Sequence, residues 1–190
     1  MKTLIINGSP RPHGDTAQLI ARLSAGLCGE TKIIEAYRCD ISPCIDCRYC
    51  WEHEGCALND GMQEVYSYIK TCDNVVIASP VYLSELTGKT LDLGSRLQTF
   101  FCSRFFRKTD PRIVPKKGGI ILVGGGDGAL GKAEGTAKTL LSHMNCRDIF
   151  PTVSFHNTNI SPAAKDAETL SKTDRLADFL NSQSLSGGKQ

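Results

Sequence analysis

The 190-residue sequence lacks an excess of charge of either sign: 22 Lys and Arg stand against 20 Asp and Glu, a formal net charge of +2. A nucleic-acid-binding domain usually carries a clear basic excess, so we expect no nucleic-acid partner. The sequence also lacks an apolar run of membrane-spanning length and a secretory apolar segment after Met1. We therefore expect a cytoplasmic protein without a membrane partner.

Several motifs of nucleotide and catalytic sites are missing as well. No GxxxxGK followed by Ser or Thr occurs, which argues against a P-loop nucleotidase. No GxGxxG follows the first apolar run, so the dinucleotide fingerprint is absent. The four histidines are scattered, and no HExxH, carboxylate pair or Ser–His–Asp order stands out. We accordingly predict no catalytic side chain.

What the sequence does contain is a polar loop between an apolar run, Thr3–Ile6, and a helix beginning near Ala17. Ser9 and Thr16 contribute hydroxyls, Arg11 contributes a bidentate guanidinium, and the glycines let the backbone approach a ligand closely. The following helix would add free N–H groups and the positive end of its dipole. The loop thus predicts a phosphate site, although an ordinary helix-capping turn would have a similar composition. Ser9, Arg11 and Thr16 would bind the phosphate. The predicted ligand-binding residues of this stretch are Ser9, Arg11, Gly14, Asp15, Thr16 and Ala17.

Apolar runs alternate with helical patterns along the rest of the chain, which favours a parallel sheet with crossover helices. We predict an α/β fold: a three-layer, doubly wound, five-stranded parallel sheet in the order 2-1-3-4-5. Residues 1–182 would form one domain with a cysteine-rich insertion at 42–60, and 183–190 a flexible tail. The predicted strands after the first are 32–37, 73–78, 119–123 and 149–155, and one long helical region is predicted over 86–107.

The third predicted strand ends in Ser79-Pro80-Val81-Tyr82. Ligands of doubly wound sheets bind where strand order reverses, which here is between the carboxyl ends of the first and third strands. The polar loop and this turn should therefore meet. A glycine run after the fourth strand ends at the same edge and could pass beneath a ligand, or could be a mobile turn. Further predicted ligand-binding residues are Pro80, Val81, Tyr82, Leu83, Gly124, Gly125 and Gly126.

Nine cysteines are unusually many for a protein expected in the cytoplasm, where disulfides are rare. Cys44, Cys47, Cys50 and Cys56 are separated by two, two and five residues. Such a compact run is typical of iron–sulfur ligation, whereas structural zinc sites usually have two CxxC pairs set further apart. A 4Fe–4S cluster is favoured, with zinc, free thiols or a disulfide as alternatives. The other cysteines, including Cys102, are interpreted as isolated.

These stretches together resemble a known family. Gly8-Ser9-Pro10-Arg11 with Gly14-Asp15-Thr16 is similar to the phosphate loop of flavodoxin-like NAD(P)H-dependent FMN reductases, and Pro80–Leu83 is similar to their flavin-ring turn. The four clustered cysteines, followed by Asp60-Gly61-Met62, resemble the motif of the iron–sulfur flavoprotein branch. The sequence departs from the family at Asp15, where Asn is common. That carboxylate must face away from a phosphate or weaken its binding.

The resemblance implies an FMN-binding, flavin-dependent oxidoreductase with a candidate 4Fe–4S cluster, which transfers electrons. Its electron donor would be NAD(P)H or a ferredoxin-type protein, and the chain would form a homodimer or homotetramer. One alternative is an NAD(P)H-dependent FMN or quinone reductase without a cluster. A second alternative is a zinc or thiol redox-sensing module.

Overall fold

The computed structural model describes residues 1–183, and the predicted tail therefore lies almost entirely outside the described residues. Within residues 1–183 no helix is both long and apolar enough to cross a membrane. The strands are β1 (Lys2–Asn7), β2 (Glu30–Glu35), β3 (Asn74–Pro80), β4 (Lys116–Val123), β5 (Cys146–Ile149) and β6 (Val153–Phe155). The α-helices are α1 (Asp15–Gly26), α2 (Tyr49–Glu52), α3 (Met62–Thr71), α4 (Gly88–Ser95), α5 (Gln98–Phe105), α6 (Gly131–His143) and α7 (Ala167–Asn181).

All strands run parallel in one sheet of order β2-β1-β3-β4-β5, with β6 also paired to β4. The predicted order is confirmed. The predicted fifth strand is divided into β5 and β6, which both pair with β4. Pro151 lies between the two, and proline has no N–H to continue a ladder. In the part of the chain that the structure describes, the sheet therefore has six strands.

Helices cover both faces of the sheet, as expected for strands that are apolar almost throughout. On one face α1 and α7 pack over a core that includes Leu19, Leu23 and Leu176. On the other face α3, α4, α5 and α6 pack over a second core. The three-layer architecture is thus confirmed, and the carboxyl ends of β1 and β3 are neighbours.

The helical region predicted over 86–107 is two helices rather than one. The helix α4 ends at Ser95, and α5 begins at Gln98. Gly94 packs closely against Leu140 of α6. A Cβ at position 94 would lie only 2.8 Å from a methyl group of that leucine. At the break Arg96 turns its side chain fully into the interior. The prediction missed this break because both helices have helical periodicity and no proline separates them.

Candidate functional site

The loop after β1 is locked to the neighbouring strand through its backbone. The Gly8 N–H donates to the Ala78 carbonyl of β3 at 2.7 Å, and the Thr87 hydroxyl donates to the Gly8 carbonyl at 2.8 Å. A Cβ on Gly8 would lie 2.1 Å from Thr90 Oγ1. The close approach therefore requires glycine, and it fixes the loop against the start of α4.

Beyond Gly8 the loop is shaped by its own polar atoms. Asn7 Oδ1 accepts from the Ser9 N–H at 2.9 Å, and Ser9 Oγ accepts from the Arg11 N–H at 3.2 Å. The N-cap of α1 is Gly14, which offers no side-chain acceptor to the first turn. The N–H groups of that turn are therefore available to an anion at the positive end of the helix dipole.

The structure brings the polar loop and the Pro80 turn together in one cleft of about 320 Å³ at the carboxyl ends of β1 and β3. Leu83 and Gly124 line an adjoining, smaller cavity of about 240 Å³, while Gly14 and Ala17 line neither. A role of Gly14 and Ala17 in ligand binding would therefore use their backbone N–H groups. The predicted residues that line the main cleft are Ser9, Arg11, Asp15, Thr16, Pro80, Val81, Tyr82, Gly125 and Gly126.

Asp15 is held by a partner far along the chain. Its carboxylate accepts a 2.7 Å hydrogen bond from the N–H of Ala163, where a short 3₁₀ helix, Ala163–Lys165, begins. Asp15 still borders the cleft, but this carboxylate oxygen is committed to a backbone donor. Asp15 thus has a structural partner in the 3₁₀ helix, and its effect on a bound phosphate stays a prediction.

Thr158 and Asn159 also line the cleft, and no sequence motif predicted them as ligand-binding residues. They follow β6, whose carboxyl end lies at the same edge of the sheet. The Thr158 N–H donates to Gly124 at 3.1 Å, and the Asn159 N–H donates to Gly125 at 3.3 Å. The glycine run is therefore held by this segment. A signal was available, since polar residues that follow any predicted strand lie at this edge.

The turn after Pro80 is tight and strained. Tyr82 and Glu85 exchange two backbone hydrogen bonds, of 2.9 and 3.0 Å, around Leu83 and Ser84. Both central residues have positive φ, 51° and 62°, in the left-handed region that non-glycine residues rarely adopt. Leu83 is 98% exposed beside the cleft. The turn thus leaves an apolar side chain exposed at the adjoining cavity.

The clustered cysteines line a separate cavity of about 190 Å³. Cys44, Cys47, Cys50 and Cys56 all border it, and Cys102 of α5 joins them. The interpretation of Cys102 as isolated is thus corrected, because the packing of α5 against the loop places it there. Within residues 1–183, no three metal-ligating side chains converge closely enough to hold one metal ion. The cysteines therefore share a cavity without forming a single-ion site.

Cys50 is the most perturbed thiol of this group. Burial, together with the neighbouring thiol of Cys102, raises the pKa of Cys50 to about 12. The thiol is therefore protonated at neutral pH and must release its proton to ligate a metal.

Aromatic side chains line one side of the same cavity. Trp51 stacks on Phe106 with 4.1 Å between the ring centroids, and both residues border the cavity.

A doubly wound parallel sheet of this order, with a polar loop and a flanking turn at its reversal point, places the chain in the class of flavodoxin-like proteins. The chain belongs to the NADPH-dependent FMN reductase family, whose model matches residues 1–159.

Curated relatives are named iron–sulfur flavoproteins. One from Methanosarcina thermophila is 25% identical over 95% of both chains. Two from Methanocaldococcus jannaschii are 31% and 32% identical over 50% and 67% of this chain. Those matches span 51% and 63% of the relatives' own lengths.

Solved structures share the fold at low identity. An NAD(P)H:quinone oxidoreductase from Methanothermobacter marburgensis superposes with a TM-score of 0.73 at 16% identity, covering 97% of this chain and 98% of that one. An FMN-dependent NADH-azoreductase from Bacillus anthracis, in complex with FMN, gives 0.67 at 17% identity, with 95% and 99% covered. At such identities the likeness establishes the architecture and order of the sheet.

Proposed function

We propose that the cleft holds FMN and that the cysteine loop, residues 42–60, holds a 4Fe–4S cluster that exchanges electrons with it. One observation carries the proposal. Two stretches that are distant in sequence, the Ser9–Thr16 loop and the Pro80–Tyr82 turn, border a single cleft at the reversal point of the sheet. Residues 1–182 would form one flavodoxin-like domain in which the cysteine loop is an insertion.

The residues of the cleft fit FMN. Ser9 and Thr16 are buried hydroxyls, and Arg11 is a cation at the same end, which suits a phosphate monoester. The N–H groups of Gly14 to Ala17 would add donors at the helix start. Pro80–Leu83 and Gly124–Gly126 would border the ring system. Bound FMN would supply hydride and single-electron chemistry, while the chain binds and orients it.

The cysteine cavity fits a cluster better than a single ion. A structural zinc ion needs four ligands at one point, whereas each iron of a four-iron cluster takes its own cysteine. Four thiols spread around one cavity match the second demand. The ligands would be Cys44, Cys47, Cys50 and Cys56.

The reductant would be NAD(P)H or a ferredoxin-type protein, and the flavin reaction needs no catalytic side chain. The aromatic surface beside the cysteine loop supports assembly into a dimer or tetramer. Phe105 is 56% exposed and Phe106 39% exposed, next to Trp51. Such a contiguous apolar patch is typical of an interface between subunits.

The direct test is purification of the full chain without oxygen, followed by an absorption spectrum and assays for FMN, iron and sulfide. We expect about one FMN and about four irons with four sulfides per chain. A chain that binds no FMN would contradict the flavin site. Zinc without sulfide would favour the zinc or thiol redox-sensing module. The FMN assay would then show whether the cleft binds flavin.

A reductase without a cluster is the second candidate. It is favoured by the family model and by the lack of a converged ligand set within residues 1–183. In that case iron-free protein reconstituted with FMN would oxidise NADPH or NADH as fast as iron-loaded protein. If the cluster is the electron entry point, the iron-free protein should lose its reaction with a one-electron donor such as reduced ferredoxin.

A further inference from the structure

The two ends of the cysteine loop meet at one buried cation. Arg96, in the break between α4 and α5, has a fully buried side chain. Its Nη1 atom donates to the Ser42 carbonyl at 2.8 Å and to Asp60 Oδ2 at 2.6 Å. Its Nη2 atom donates to Asp60 Oδ1 at 3.2 Å and to the Leu58 carbonyl at 3.4 Å. One guanidinium thus joins the residues where the loop begins and where it returns.

The acidic partner is itself fixed. Asp60 accepts from the N–H of Ser42 at 3.1 Å and from the N–H of Met62 at 3.0 Å. The Tyr66 hydroxyl donates to the Arg96 carbonyl at 2.7 Å, so the backbone of the break is held from α3. A buried ion pair is tolerated when hydrogen bonds satisfy both partners, and this network does so for Asp60.

The donors of Arg96 are not all used. A guanidinium has five N–H groups, and the four on its terminal nitrogens face the four oxygens described above. The fifth, on Nε, is buried and has no acceptor within the described residues. Arg96 also lines the cavity of the cysteines. A buried charged donor without a partner is unfavourable, so we expect the Nε–H to gain an acceptor when the site is in use.

We propose that Arg96 is the positioning residue of the metal centre: it closes the cysteine loop, and its Nε–H donates to a sulfur of the loaded centre. This inference rests on the proposed cluster. The sulfur would be a cysteine thiolate or an inorganic sulfide, both of which accept hydrogen bonds from cations. The other cation on the cavity wall, Arg48, is exposed and lies 3.9 Å from Asp46.

Two consequences follow. A positive charge and a hydrogen bond near the sulfurs favour the more negative, reduced state, so Arg96 raises the reduction potential of the centre. Because it ties Ser42 to Asp60, it also keeps the ligands close together when iron is bound, so its loss should release iron faster. An arginine that served only to stabilise the fold would change neither property in the folded protein.

The test uses full-length protein, loaded with iron and sulfide without oxygen, and compares Arg96→Gln and Arg96→Lys with Arg48→Gln. The control removes an equal charge from the exposed wall of the same cavity. The readouts are the midpoint potential, followed by electron paramagnetic resonance, and the rate of iron loss to a chelator. FMN content reports whether the rest of the domain is folded.

We expect Arg96→Gln to lower the potential and to speed iron loss about tenfold or more, with a smaller effect for Arg96→Lys. Arg48→Gln removes a solvent-screened charge, so it should lower the potential less than Arg96→Gln does and leave the rate of iron loss near the original value. If Arg96→Gln fails to bind FMN, the paired variant Arg96→Gln, Asp60→Asn removes both buried charges and is measured instead.

Potentials and iron release equal to those of Arg48→Gln, in FMN-bound protein, would overturn the role of Arg96 and leave the cluster proposal intact. An unsubstituted chain that takes up no iron would overturn both.

Discussion

The polar loop, Gly8–Thr16, and the cysteine loop are held in place in different ways. The polar loop is held mainly through its backbone: the Gly8 N–H donates to the Ala78 carbonyl of the sheet, and the Gly8 carbonyl accepts from the Thr87 hydroxyl. The cysteine loop is held by side chains between Ser95 and Arg107. Ser95 accepts from the Cys44 N–H at 2.9 Å, Thr99 donates to Gly55 at 2.9 Å, and Arg107 donates to the Cys50 carbonyl.

This difference indicates how each site would bind its ligand. A cleft built on backbone contacts at the sheet edge is largely preformed, so binding there requires little ordering. A loop fastened by a few side chains can rearrange, and metal binding would complete its conformation. Substitutions in the two regions should therefore separate flavin binding from iron binding.

The largest effect is expected at a cluster ligand. Cys47→Ser should abolish iron and sulfide binding, because the hydroxyl replaces a thiolate in a four-cysteine site. FMN affinity should change less than about twofold, since the cleft does not use this loop. Metal and flavin analysis of anaerobically purified protein measures both. Cys28→Ser, an exposed cysteine outside the loop, is the matched control. Full iron content in Cys47→Ser would remove that cysteine from the ligand set.

The second effect concerns the close contact between Gly8 of the polar loop and the start of α4. Gly8→Ala should destabilise the fold by about 3 kcal/mol, because its Cβ would overlap Thr90 Oγ1. Gly88→Ala has open space around the new methyl group and should be close to neutral. Urea unfolding of the FMN-free proteins compares them. Equal midpoints for the two variants would show that the loop can move away from α4, contrary to a preformed cleft.

The third effect concerns the proposed binding of the FMN phosphate by Arg11. Arg11→Ala should weaken FMN binding about 30-fold, the equivalent of about 2 kcal/mol for a charge-assisted hydrogen bond. Iron content should be unchanged. Fluorescence titration of apoprotein with FMN gives the Kd, and riboflavin, which lacks the phosphate, should bind both proteins alike. Arg175→Ala on α7 is the control. A riboflavin affinity that falls as much as the FMN affinity would place Arg11 away from the phosphate.

The smallest effect is a pH dependence confined to the cysteine loop. Burial alone would raise the pKa of Asp60, but hydrogen bonds from Arg96, Ser42 and Met62 hold it below its usual value. Since the folded pKa is the lower one, the stabilisation is complete above the unfolded pKa of about 3.9 and is lost as the pH falls through the folded pKa.

The single tryptophan, Trp51, lies inside this loop and can report its opening. Its fluorescence should change below about pH 4, before the signal of global unfolding. Asp60→Asn should flatten that early change, whereas Asp174→Asn, in a surface pair with Arg22, should keep it. An identical acid profile in Asp60→Asn and the unsubstituted chain would show that the buried pair does not control the loop.

Much of the architecture follows from local sequence. Apolar runs that end in polar loops predict the strands, and the sheet order predicted from them is confirmed. The family predicted from the resemblance of the polar loop, the Pro80 turn and the cysteine run is confirmed as well. The stretches from Ser9 to Thr16 and from Pro80 to Tyr82 could be predicted to meet because strand order places their carboxyl ends side by side. Their roles in binding FMN remain predictions.

The amino-acid sequence by itself determined the alternation of strands and helices and the spacing of the four cysteines, because both depend on neighbours a few residues apart. Only the tertiary structure placed Cys102 beside Cys50, joined Asp15 to Ala163 and set Arg96 between Ser42 and Asp60. These contacts link residues separated by tens of positions or more. They depend on how helices pack on the sheet and where α4 ends, and no local pattern carries that information.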